Sequence, residues 1–180
     1  MKRIIISISI LLFSLSFIPA YYSITQSQSI NIEKKDVPYQ LPYPGLLPGH
    51  PLYFLKTIRD DILLFTTRDN LKKAKLYLHL SDKNMATARA LMEDGKEQAA
   101  TEQLIKGEER FLAIPSLLTN LKKQGGGCPF ELVLELQLSN QKHKQIITDV
   151  AEKTTDSEIK TLHDLLQKNN EAEQLIQNLQ

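Results

Sequence analysis

Cys128, in the stretch GGGCPF, and the histidines at 50, 79, 143 and 163 are where reactive side-chain chemistry would be sought first in this 180-residue chain. Cys128 stands just before Pro129 at a predicted helix start, a position that lowers a thiol's pKa, and His143 could serve it as a base. Such a pair also needs an orienting group and an oxyanion site, and neither flanking segment carries a pattern for one. A zinc site wants ligands converging at short spacing, and no two of the histidines fall at i,i+3 or i,i+4. The sequence nominates no catalytic, cofactor-binding or metal-ligating residue, and no cofactor. His143 lies on the apolar register of its helix, which predicts a partly buried polar residue hydrogen-bonded to a neighbour.

Charge and glycine patterns narrow the field further. Gly125-Gly126-Gly127 follows no strand and precedes no Lys-Ser/Thr, so it reads as a helix terminator rather than a phosphate loop. Lys72, Lys73, Lys75, Lys83 and Arg89 gather positive charge on one predicted helix. An anionic partner such as lipid headgroups or a wall polymer would suit them, but Asp69, Asp82, Glu93 and Asp94 dilute the charge and a solvated face is expected. The formal net charge is +1, and losing Lys2 and Arg3 would take it to about −1, so no nucleic-acid partner is expected. Cys128 is the single cysteine. It cannot make an internal disulfide, which leaves a small residue near a helix start or a candidate intermolecular disulfide.

The elements that would position these residues are helical. Lys2-Arg3 followed by the uncharged run IIISISILLFSLSFI, Ile4 to Ile18, marks 1–22 as a signal peptide or an N-terminal membrane anchor, with everything after it exported. Ile18 is large for the −3 position of a cleavage site. Extended through Tyr22 the uncharged run approaches the roughly 20 residues that span a bilayer. Residues 23–40 read as a flexible Ser/Gln-rich tether, and 41–51 as a Pro/Gly-rich collar. The helical domain is 51–180, with helices at about 51–65, 70–94, 96–123, 129–153 and 156–179.

The seams follow 3-4 spacing: Leu55, Ile58, Ile62 and Phe65 in the first helix; Leu71, Ala74, Leu78, Ser81, Met85, Ala88 and Met92 in the second; Ala100, Leu104, Gly107, Phe111, Ile114, Leu118 and Leu121 in the third. The fourth carries Leu132, Leu136, Ser139, His143, Ile146 and Val150, and the fifth Ile159, Leu162, Leu165, Leu166, Ala172, Ile176 and Leu179. Asp69 should cap the second helix, Pro115 should kink or split the third, and Thr155 to Glu158 form a capping box. No segment alternates with the period of a strand. The fold class is all-α: an elongated antiparallel bundle of about five helices with coiled-coil-like seams. Pro48, Pro51, Leu52, Tyr53, Phe54 and Leu55 are expected to dock the collar and first helix onto this bundle.

Pro44 to Lys96 resembles a bacterial family catalogued as domain of unknown function 5667, found in exported proteins. Pro48, Pro51, Leu52, Tyr53, Leu55 and Lys56 match its Pro-x-x-Pro-Leu-Tyr-x-Leu-Lys helix start; Lys72, Lys73, Ala74, Leu76, Leu78 and Leu80 match its second helix. The chain departs at Gly49-His50, Asn70, Ser81, Asn84 and Thr87. The resemblance implies an extracytoplasmic helical module and no activity. The expected role is structural or protein-interacting at the cell envelope, with an unknown envelope protein or a second copy as partner and the membrane as a further contact if the N-terminal run is uncleaved. An envelope stress sensor or chaperone-like protein is the alternative; the Leu-Thr-x-x-Gln repeats and clustered His and Met such a protein would carry are missing.

Overall fold

The computed structural model describes residues 36–154 and 156–179. The expected leader, residues 23–35 of the expected tether and Thr155 of the expected capping box lie outside the described residues. The described helices belong to the compact unit Val37–Gln180. They are α1 (Tyr53–Thr66), α2 (Asn70–Glu93), α3 (Glu97–Leu112), α4 (Ile114–Lys123), α5 (Phe130–Ala151) and α6 (Asp156–Gln177). The protein is an all-α bundle.

Local chemistry explains most boundaries. Asp69 caps α2, its Oδ1 accepting the Lys72 N–H at 2.7 Å. The expected single third helix is two: Pro115 sits in the first turn of α4, where its missing N–H breaks the ladder to Phe111 and separates α3 from α4 at Ala113. The glycine run ends α4. Gly125 takes φ +80°, which lets the Gly126 N–H reach back to the Leu121 carbonyl at 3.0 Å.

Packing buries the predicted seams of α2 to α6 around α2, which touches α1, α3, α4 and α5. Two apolar clusters result. One joins Leu78, Phe111, Ile114, Leu118, Leu136 and Ile176; the other joins Met85, Leu91, Leu104, Ile147 and Leu162. Every helix that runs from one cluster to the other passes through buried polar or small positions on the way: Ser81, Asp82 and Asn84 on α2, Gly107 and Glu108 on α3, Ser139, Asn140 and His143 on α5, and Asn169 on α6. Gly107 is there because α2 comes close: a Cβ would lie 2.7 Å from Met85 Cε and 3.3 Å from Asn84 Cβ. The core is therefore two oily layers with a polar layer between them.

The first helix corrects its expected face. Leu55, Ile58, Ile62 and Phe65 are 50, 50, 56 and 84% exposed, whereas Tyr53, Lys56, Thr57, Asp60 and Leu64 lie toward the bundle, half-buried or buried. Both stripes keep helical spacing, and polar contacts choose between them. Tyr53 OH donates to Gln103 Oε1 at 3.3 Å, and Lys56 Nζ donates to the collar carbonyls of Pro44 and Leu46 at 2.7 and 3.2 Å. Among the expected docking residues, Pro48 and Tyr53 are half-buried, while Pro51, Leu52, Phe54 and Leu55 are exposed. The helix also starts at Tyr53, not Pro51, with His50 Nδ1 accepting the Leu52 N–H at 3.1 Å. Tyr53→Ala should lower stability by roughly 1–3 kcal/mol. Phe54→Ala should change it by less than about 0.5 kcal/mol, and paired thermal melts check the contrast.

Candidate functional site

The polar layer centres on His143. Its Nε2 lies 3.0 Å from Asp82 Oδ1 and its Nδ1 2.9 Å from Glu108 Oε1, so α5 is bridged through one imidazole to both α2 and α3. Ser139, one turn earlier on α5, donates its hydroxyl to the same Asp82 oxygen at 2.7 Å. Tyr39, at the end of the segment expected to be a flexible tether, donates to Asp82 Oδ2 at 2.6 Å. The Val37 N–H donates to Gln145 Oε1 at 3.3 Å, so this end of the tether is bound to the bundle instead. Phe111 tilts its ring against the imidazole at 4.9 Å between centroids. Beside this cluster Asn140 and Asn169 exchange bonds, each amide donating to the other's backbone carbonyl at 3.3 and 3.2 Å, which sets the register of α5 on α6.

Burial and charge fix the protonation of these groups. Burial alone would lower the His143 pKa, but hydrogen bonds to Asp82 and Glu108 and their charges outweigh it and raise the group to about 9. The imidazolium donates from both nitrogens. Burial, then the charge of Asp82, holds the Tyr39 phenol far above its ordinary value, so it stays a donor. Glu108 Oε2 is buried without a hydrogen-bond partner, and the imidazolium is the cation that offsets this carboxylate. Tyr39→Phe should cost about 1–3 kcal/mol, because it leaves a buried carboxylate oxygen one donor short; a urea titration of the variant measures it.

The arrangement holds helices together and does not present a nucleophile. Ser139, His143 and Glu108 are fully buried, and His143 spends both nitrogens on carboxylates, leaving none to take the Ser139 proton. Cys128 is not brought to His143. It is half-buried beside the first apolar cluster, where burial raises its thiol pKa against the opposing pull of Lys122. Among the described residues no three His, Cys, Asp or Glu side chains are placed to hold a metal ion. Sequence reasoning placed His143 and Ser139 on the seam but missed Asp82, Glu108, Asn140 and Asn169.

Residues 45–180 match the family model described as Domain of unknown function (DUF5667). The chain belongs to that family. The match extends well past Pro44 to Lys96, where the resemblance is read most easily, and takes in the whole polar layer contributed by α2, α3, α5 and α6. No curated protein and no solved structure matches the chain. The DUF5667 module here is thus an all-α bundle pinned by a buried histidine–carboxylate centre, with α1 carried on its outside.

Proposed function

We propose that this chain is an exported, non-enzymatic protein-interaction module of the cell envelope, and that α1 is its docking element. One observation carries the reading: Leu55, Ile58, Ile62 and Phe65 form a seam-like 3-4-3 stripe that is half or more exposed. A stripe of that spacing is what a helix offers to another helix. The basic start and apolar run at Lys2 to Ile18 support export. No described helix is long and apolar enough to cross a membrane, so attachment would fall to that run. The ionisable groups buried in the polar layer serve the scaffold, which supports a binding role over a catalytic one.

A photo-crosslinking residue placed at Ile58 or Ile62 in cells should trap a discrete adduct, either to an envelope protein or to a second copy. The same residue at Glu102 or Lys160, exposed positions on α3 and α6, should not. Matching adducts from all four sites would refute α1 as the docking element. Protease digestion of the domain from outside intact spheroplasts tests the export half of the reading.

A further inference from the structure

A cleft between α1, α2 and α3 gathers cations that the sequence keeps apart. Lys56 enters it from α1, Lys83 from α2, and Lys106 and Arg110 from α3, with Asp60 as the carboxylate among them. Asp60 is paired with Arg59, its Oδ1 accepting from Arg59 Nε and Nη2 at 3.0 and 2.6 Å. Exposed Asp61 comes no nearer than 3.8 Å to Arg110. Positive charge is therefore in excess. Lys56 feels it: burial, followed by repulsion from Lys83, holds its pKa below the ordinary lysine value.

The two buried amides of the cleft have their oxygens engaged. Asn84 and Gln103, 5 and 3% exposed, line it. Arg110 Nη1 donates to Asn84 Oδ1 at 2.6 Å, and since arginine can only donate, this fixes the amide so that Asn84 Nδ2 donates onward to Gln103 Oε1 at 2.9 Å. Gln103 Oε1 takes a second bond from Tyr53. With both amide oxygens occupied, a ligand would meet the ammonium groups of Lys83 and Lys106, the Arg110 guanidinium, amide N–H groups and the remaining proton of Lys56, whose Nζ also holds the collar carbonyls. Beside them stand the Thr57 and Thr87 hydroxyls and the Asp60 carboxylate. Such a donor-rich, cationic pocket is complementary to an oxyanion. The free space inside is about 30 Å³, room for one or two water-sized groups, which suits a single anionic head entering from the open side rather than a whole small molecule. Several cations against one engaged carboxylate favour a doubly charged head over a singly charged one.

We propose that this cleft binds a phosphate-type oxyanion head, free or carried on a lipid. It lies on the bundle side of α1 and is independent of the exposed stripe on the opposite side.

The test uses the full chain in nonionic-detergent micelles and the variant Lys83→Met/Lys106→Met, which removes two partly or fully exposed side chains and should leave helix content unchanged. Inorganic phosphate should raise the melting temperature of the wild type beyond sodium chloride of equal ionic strength. In the variant its affinity should fall about tenfold or more, the loss of at least one charge-assisted hydrogen bond. A rise seen with phosphatidic acid doped into the micelles, but not with free phosphate, and lost in the variant, would assign the head to a lipid and uphold the proposal. Equal rises with phosphate and chloride, equal responses of wild type and variant, or no response to either phosphate source would overturn it.

Discussion

His143→Ala should destabilise the bundle by about 3–5 kcal/mol, because it leaves the buried carboxylates of Asp82 and Glu108 without their cation. Glu108 makes the loss severe, as its Oε2 is already without a hydrogen-bond partner. The same centre dictates a pH dependence. The folded-state pKa of His143 is raised to about 9 from 6.5, so the folded protein retains a proton that the unfolded chain releases across that interval. This contribution is fully present below pH about 6.5, declines as pH rises, and is gone above about 9; the raised value corresponds to on the order of 3 kcal/mol. Urea titrations at pH 6, 7.5 and 9.5 should show the wild type weakening with rising pH and His143→Ala nearly flat over the same range. A flat wild-type profile would mean that the imidazole is neutral in the fold.

Leu78→Asp should cost at least as much, several kcal/mol. Leu78 is 3% exposed in the first apolar cluster, with Phe111 and Leu136 in the same cluster. The new carboxylate would enter a layer with no cation and stand one turn before Asp82 on the same helix, adding like-charge repulsion to desolvation. Loss of cooperative thermal unfolding, or a melting temperature far below wild type, is the expected readout by circular dichroism. An unchanged melt would place the wrong face of α2 in the core. The exposed-stripe variants Ile58→Glu and Ile62→Glu make the control, since each should move stability by less than about 0.5 kcal/mol.

The register of α2 to α6 is legible in the sequence because hydrophobic periodicity reports which side of a helix leaves water, and the removal of apolar surface from water is what chiefly drives folding. Ala74, Leu78, Met85 and Ala88, or Leu132, Leu136, Ile146 and Val150, announce their own burial. The stop at Gly125 and the split at Pro115 are equally local, set by backbone chemistry. The polar layer left a trace: Ser81, Gly107, Ser139 and His143 all occupy seam positions where an apolar residue would be usual. Their helices bring those four interruptions to one level, between two apolar clusters.

What the trace could not give is the partners. Asp82, Glu108 and Asn140 sit one position off the seam and read as ordinary polar residues, and Asn169 interrupts the seam of α6 without any signal of its pairing. Their burial depends on residues up to 61 positions away, as in the contact of Asp82 with His143, and no local pattern encodes such a distance. The face of α1 shows the same division. Its sequence carries two helical stripes, and hydrophobicity by itself selects Leu55, Ile58, Ile62 and Phe65 for burial. The folded chain turns Tyr53, Lys56 and Asp60 inward instead, because Gln103 offers Tyr53 a hydrogen bond there and the collar carbonyls offer Lys56 two. Periodicity, caps and breakers determined the helices and the inner faces of α2 to α6. Which charges meet in the core, and which side of α1 remains exposed, was decided by tertiary contacts, since hydrogen bonds and ion pairs depend on where distant groups come to rest.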